Sequence, residues 1–200
     1  MEGSSGRRER KRQQMADRLA DTAWEMFETQ GYEAVTMEAI AGAADVTKRT
    51  LYKHFPVKEA LLRHRFHLDL AEGMPAMLAE LAALPTAADR LCGFLERSAV
   101  WAQANRPHLI PYLRLRLGEL GIPYEIDATT RSGIEPLFTG LIRDGQESGE
   151  FRSDLDARTA AHYLEFLYLA SLLRWLNGAQ PDLQAEFRSM LDLYLRGFAR

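Results

Sequence analysis

A short stretch of the chain combines cations and hydroxyl groups with an absence of carboxylates. From Val46 to Lys58 there is no Asp or Glu, whereas Lys48, Arg49, Lys53 and Lys58 are cationic. A surface that binds phosphate needs cations, and it also needs few anions nearby. The chemistry that this stretch predicts is therefore binding to a nucleic-acid backbone. The alternative interpretation is a solvated pair of amphipathic helices in an unrelated α-helical protein.

Two short helices joined by a tight turn are expected to position these cations. Thr36 can cap the first helix and Thr47 the second, because a threonine hydroxyl accepts a hydrogen bond from a free N–H group at a helix start. Asp45 lies where the chain must turn, and Asp is one of the few non-glycine residues that tolerate a positive φ. Pro56 then ends the second helix.

The second short helix should have an apolar rear and a basic front. Leu51 and Phe55 are four residues apart, so their side chains face inward together. The side chains that fall mostly on the other side are Lys48, Arg49, Tyr52 and Lys53. A short helix of this kind, braced by another helix across a tight turn, is typical of the helix-turn-helix motif.

The segment from Gly31 to Leu62 carries a dense, ordered set of features. They are Gly31-Tyr32, Thr36, Ile40-Ala41, Ala43-Ala44, Val46-Thr47, Leu51-Tyr52, His54-Phe55 and Lys58-Glu59-Ala60-Leu61. With these features the segment closely resembles the DNA-binding domain of TetR-family transcriptional regulators. Asp45 departs from the family pattern, which usually has glycine at the turn, and Arg49 stands where the family often has glycine at the DNA.

The resemblance implies an all-α fold of about nine helices. An N-terminal three-helix helix-turn-helix domain would bind DNA, and a C-terminal helical domain would bind a small-molecule effector and form a homodimer. The function implied is that of a sequence-specific transcriptional repressor, released from a palindromic operator when the effector binds. No cofactor is expected.

The resemblance also assigns roles within the DNA-binding segment. Arg49 is the best candidate for reading a guanine with two hydrogen bonds. The residues expected to reach base edges in the major groove are Thr47, Lys48, Arg49 and Thr50. The residues expected to hold phosphates are Thr36, Tyr52, Lys53, His54 and Lys58.

The distribution of charge supports a DNA-binding N-terminal segment followed by an acidic remainder. The first 65 of the 200 residues hold 12 Lys and Arg against 10 Asp and Glu, whereas the remaining residues hold 13 against 18. The single cysteine, Cys92, allows no internal disulfide and suits a reducing cytoplasm. The longest run that is almost entirely apolar, Phe166 to Leu173, contains one serine and is too short to span a bilayer. A cytoplasmic location is therefore expected.

Three segments are predicted. Residues 1–12 form a basic arm, expected to be disordered, that could bind phosphate or a minor groove. Residues 13–62 form the helix-turn-helix domain, and residues 63–200 form the effector-binding and dimerisation domain. Gly73 and Pro75 are expected to kink or break the first helix of the latter, and a later helix is expected from Ile126 to Glu147.

The C-terminal part suggests a dimer interface and a pocket. The stretch from Leu164 to Leu173 is apolar nearly all the way round its predicted helix, so that helix must be buried on two sides. The residues expected at the dimer interface are Leu167, Ala170, Leu183, Phe187 and Leu191. The residues expected to line an effector pocket, because they pair apolar bulk with hydrogen-bonding neighbours, are Trp101, His108, Tyr112 and Phe166.

Two other functions remain open at the level of sequence. A helical enzyme could assemble its site from distant residues, although there is no phosphate-binding glycine motif and no nucleophile elbow. A DNA-compacting protein would bind without sequence preference and ignore small molecules. No catalytic residue is assigned. His64 and His67 lack a convincing third ligand, so no metal site is assigned either.

Overall fold

The computed structural model describes residues 3–118, 133–179 and 181–197, with side chains from residue 6 onward. The described residues form nine α-helices and no strand, as expected for the all-α class. The helices are α1 (Gly3–Gln30), α2 (Met37–Ala43), α3 (Lys48–His54), α4 (Lys58–Ala82), α5 (Ala87–Ala104), α6 (Arg106–Gly118), α7 (Ile134–Glu147), α8 (Ala157–Leu176) and α9 (Leu183–Arg196). The predicted helix start at Ile126 lies outside the described residues.

The chain divides into two compact units. The first comprises Met1–Asp69 and Pro107–Thr130, and the second comprises Leu70–Arg106 and Arg131–Arg200. This division differs from the expected domain boundary after residue 62, because α6 packs with the first unit. Leu115 of α6 lies against the core of that unit, and the ring of Tyr112 meets Phe66 edge-on at 5.1 Å.

The first unit has a continuous apolar core beneath the helix-turn-helix. Leu19, Ala23 and Phe27 lie on one face of α1 at helical spacing, and all three are buried. They pack in one cluster with Ile40 of α2 and Leu51 of α3. Short helices are marginal in isolation, so this packing is what holds α2 and α3 in place.

The basic arm is helical from Gly3, so the expectation of a disordered arm is wrong for the residues that the structure describes. The reason is local. Its residues are mostly good helix formers with no proline to stop them, and Glu9 pairs with Arg12 one turn along the helix at 2.8 Å.

The expected break in α4 is also absent. The helix runs through Gly73 and Pro75 without interruption. A proline removes one N–H group from the ladder and frees the carbonyl four residues earlier, here that of Ala71. Ala71 and Pro75 are exposed, so water can bond that carbonyl.

The second unit is built from α5, α7, α8 and α9 together with the second half of α4. Its centre is a cluster of rings, in which Phe94 meets Phe138 edge-on at 5.3 Å and Tyr168 stacks on Phe187 at 5.1 Å. The Tyr168 hydroxyl shares a 2.6 Å hydrogen bond with the Ser98 hydroxyl, which satisfies the polar end of a buried ring.

Candidate DNA-binding surface and effector unit

The turn between α2 and α3 is a helix-terminating motif with an aspartate in the left-handed position. Asp45 has φ of 52°, and no other non-glycine residue among those described has a positive φ. Its N–H group donates to the Gly42 carbonyl, and the Val46 N–H group donates to the Ala41 carbonyl at 3.0 Å. This hydrogen-bond pair is that of the Schellman motif, in which glycine is most common. The prediction that Asp45 makes the turn is confirmed.

Both predicted threonine caps are present. The Thr36 hydroxyl accepts from the Ala39 N–H group, and the Thr47 hydroxyl accepts from the Thr50 N–H group, each at 3.1 Å. The Thr47 and Thr50 hydroxyls also lie 2.9 Å apart. The start of α3 is therefore a rigid first turn with two hydroxyl groups at its tip.

The outer face of α3 carries cations that differ in what they contact. Lys48 forms a 3.1 Å ion pair with Glu38 of α2, and both side chains are largely exposed. Arg49 and Lys53 are exposed and have no ion pair or hydrogen bond among the described residues. The Tyr52 ring is 45% exposed. Of these side chains, Arg49 is the one with five free donors and no carboxylate to displace.

Lys58 is engaged inside the protein, which argues against its expected role at phosphate. Its ammonium donates to the Tyr32 carbonyl at 2.7 Å and to the Val35 carbonyl at 2.9 Å. It also lies 4.1 Å from the centre of the Tyr32 ring. Lys58 thus ties the start of α4 to the loop between α1 and α2, and two of its three donors are used.

His54 is half-buried at the end of α3. Burial lowers the pKa of its imidazole, and the nearby charges of Arg12, Lys53 and His64 lower that pKa further. The ring is therefore neutral near neutral pH. It can donate one hydrogen bond to a phosphate, but it brings no charge.

The four expected pocket residues lie in two different units. His108 and Tyr112 belong to the first unit. His108 is buried, forms a 2.8 Å hydrogen bond with Glu28 and meets the Trp24 ring edge-on at 4.8 Å. Trp101 and Phe166 belong to the second unit, where Trp101 is half-buried and Phe166 is 43% exposed beside His162.

Burial argues against the expected interface residues on α9. Leu183, Phe187 and Leu191 are buried in the core of their own unit. On α8, Ala170 is exposed and Leu167 is half-buried. The exposed apolar stripe of α8 includes two large side chains that residue pattern alone could not single out, because the helix is apolar nearly all round. They are Tyr163 and Phe166.

Comparisons with known proteins agree on one family. Residues 19–64 match the family model of bacterial regulatory proteins, tetR family. The repressor KstR of Mycobacterium tuberculosis is 43% identical, over 97% of this chain and 82% of its own. The fatty acid metabolism regulator protein of Bacillus subtilis is 25% identical, over 90% and 93%. Thermus thermophilus FadR in complex with lauroyl-CoA superposes with a TM-score of 0.78 and 25% identity, over 92% and 95%.

The chain belongs to the tetR family of bacterial regulatory proteins. It is a DNA-binding transcriptional repressor that acts as a homodimer and responds to a small-molecule effector. Its relatives are regulators and not enzymes. No described helix is long and apolar enough to cross a membrane. Among the described residues there is also no group of three or more His, Cys, Asp or Glu that could hold a metal ion.

Proposed function

We propose that α3 of each protomer enters the major groove of one half of a palindromic operator. Arg49 reads a base edge there, and Thr47, Lys48 and Thr50 at the start of α3 lie beside it. The observation that carries this proposal is an exposed Arg49 with no ion pair or hydrogen bond among the described residues, on a helix start that Thr47 caps. Lys48 must release Glu38 to reach a base, which is cheap because both groups are exposed.

The phosphate contacts that we propose come from the remaining exposed groups. Lys53 supplies a charge, Tyr52 supplies a phenolic hydroxyl, and Thr36 keeps its O–H donor free while its oxygen caps α2. His54 donates as a neutral ring. Lys58 is not among the proposed phosphate contacts, because its ammonium donates hydrogen bonds to the Tyr32 and Val35 carbonyls.

The homodimer is proposed to form through α8. Tyr163, Phe166 and Ala170 follow each other at spacings of three and four residues, so they form one stripe. Leu167 borders it. Large exposed apolar side chains in one stripe mark an interaction surface. A two-fold axis that pairs α8 with itself would present two α3 helices to two half-sites.

The effector that we propose is a fatty acyl thioester of coenzyme A. The support is the full-length similarity to the lauroyl-CoA complex of Thermus thermophilus FadR, together with the apolar, ring-rich interior of the second unit. Binding releases the operator only if the effector favours a conformer that does not fit DNA, because equal affinity for both conformers shifts nothing.

Lauroyl-CoA titrated into a complex of the homodimer and a labelled operator tests this proposal. The operator comes from selection among random duplexes. We expect release at micromolar lauroyl-CoA (on the order of 1 μM), with coenzyme A and free laurate as controls that leave the complex intact. If neither lauroyl-CoA nor a longer acyl-CoA releases the operator, the proposed effector class is rejected. The selected operator would still be evidence that the protein reads a DNA sequence.

No catalytic residue is proposed. An enzyme would show turnover and no preferred duplex in the selection, and a DNA-compacting protein would enrich no sequence at all. We place the repressor in the cytoplasm, because that is where a bacterial operator lies.

A further inference from the structure

The first turns of α1 carry a dense set of cations beyond the core of the first unit. From Gly3 to Ala16 the only carboxylate is that of Glu9. The cations are exposed and belong to one uninterrupted helix. They are Arg7, Arg8, Arg10, Lys11 and Arg12.

Helical spacing sorts these cations onto two sides of α1. Leu19 is fully buried, and Met15 is packed against the same core one turn earlier. Arg12 and Arg8 precede Met15 at three and seven residues, so they continue the core-facing side of α1 past the point where the core ends. Lys11, four residues before Met15, borders the same side, whereas Arg10 lies on the opposite side and Arg7 lies between the two, roughly 100° from Arg8 around the helix axis.

Side-chain bonds fix the direction in which this basic segment runs. Asp17 of α1 accepts from Gln13 at 2.9 Å and bonds His64 of α4 at 2.7 Å. Arg18 donates to the Ala44 carbonyl at the end of α2. These contacts hold α1 against the helix-turn-helix immediately after the basic turns. The basic turns therefore extend from a part of α1 whose position is fixed.

The core-facing side of the basic segment lies towards the end of α3, because Met15 and Leu19 pack in the same core cluster as Leu51 and Phe55. In agreement with this placement, the charge of Arg12 helps to lower the pKa of the His54 imidazole, and Lys53 lies in the same last turn of α3, exposed. The positive surface of α3 therefore continues onto α1. Arg12 is held only by Glu9 of its own helix, in an exposed pair that contributes little.

We propose that Arg8 and Arg12 form a second, sequence-independent contact to duplex DNA, on the phosphates that flank each half-site, with Arg12 exchanging Glu9 for phosphate. The proposal rests on the proposed reading of an operator by α3. Ten helical residues extend about 15 Å, the length of roughly four or five base pairs. The repressor then protects more DNA than α3 alone could.

Two duplexes test the proposal, one ending at the selected palindrome and one with about five extra base pairs on each side. The wild-type homodimer should bind the longer duplex about tenfold more tightly, and its salt slope should be steeper by about 3 to 4 units, since four phosphates are added per dimer. Arg8→Gln/Arg12→Gln should bind both duplexes alike.

The matched control is Arg7→Gln/Arg10→Gln, which removes the same number of charges from α1 at positions outside the stripe formed by Arg8 and Arg12. It should keep most of the preference for the longer duplex. Equal losses in both double variants, or no preference in the wild type, would overturn the proposal. Either result is distinct from failure of operator reading, which would appear as binding without sequence preference. Circular dichroism of both variants checks that α1 stays helical.

Discussion

Arg49 and Lys58 show how differently two cations of one basic stretch can act. Arg49 projects from α3 with all donors available, whereas the Lys58 ammonium is bonded to two backbone carbonyls from the loop after α1. Charge alone does not distinguish them. The distinction comes from what lies within hydrogen-bond reach once the chain has folded.

Arg49→Ala should lower operator affinity by roughly 1–3 kcal/mol and relax the preference at one base pair. The reason is loss of a bidentate contact that only one base edge satisfies. Repeating the selection with the variant measures both effects. Arg49→Lys is the control, since it keeps the charge but cannot form the planar pair. An unchanged selection profile for Arg49→Ala would exclude base reading.

Lys58→Met should lower the free energy of unfolding by roughly 1.5–3 kcal/mol, because it removes charged hydrogen bonds to two carbonyls. Urea denaturation measures this loss. The salt slope of operator binding by the folded variant should not change. Lys53→Met should do the reverse, with unaltered stability and a slope smaller by about two units per dimer. A reduced slope for Lys58→Met would restore the phosphate role.

At the scale of the helices, the α2–α3 turn sets the geometry of the DNA-binding surface. Its Schellman hydrogen bonds place the Val46 side chain against the core and start α3 at the Thr47 cap. Arg18 adds a bond to the Ala44 carbonyl from α1. The turn places Asp45, a non-glycine residue, in the left-handed backbone conformation, which is unfavourable for residues with a side chain.

Asp45→Val should lower the free energy of unfolding by about 1–2 kcal/mol, because a β-branched side chain fits poorly at positive φ. Asp45→Gly should leave it nearly unchanged, since relief of strain offsets the greater freedom of glycine in the unfolded chain. Urea denaturation compares the two. Gly42→Ala, three residues earlier in open space with ordinary φ, should stabilise by about 0.5–1 kcal/mol. Equal tolerance of Val and Gly at position 45 would contradict the strained turn.

In the molecule as a whole, the two faces of α8 differ in burial. Leu164, Tyr168 and Leu172 are buried in the core of the second unit, whereas Tyr163 and Phe166 remain exposed. The rest of that core comes from α5, α7, α9 and the second half of α4. The exposed side of α8 is therefore the face available to the second protomer.

Phe166→Glu should shift the homodimer towards monomer and weaken operator binding, because a charge in an apolar interface is left without a partner. Light scattering across a dilution series measures the shift. Val100→Glu is the control. It places the same charge at a more exposed apolar residue of α5, 59% accessible, and should leave the dimer intact. A dimer that survives Phe166→Glu unchanged would require a different interface.

Residue type and spacing were enough to predict the features that depend on near neighbours in the chain. The caps at Thr36 and Thr47, the turn at Asp45 and the inward face of α3 all follow from contacts within a few residues, where residue type and spacing decide the outcome. The family pattern is built from these local features, so the fold class and the DNA-binding function were predictable too.

Pairings between distant residues could be seen only in the folded chain. Lys58 meets carbonyls more than 20 residues away, and His108 meets Glu28 across 80 residues. An apolar stripe such as that of Phe187 reads the same in sequence whether it packs on its own core or on a partner. Spacing shows which side chains share a face, but only folding determines what that face covers.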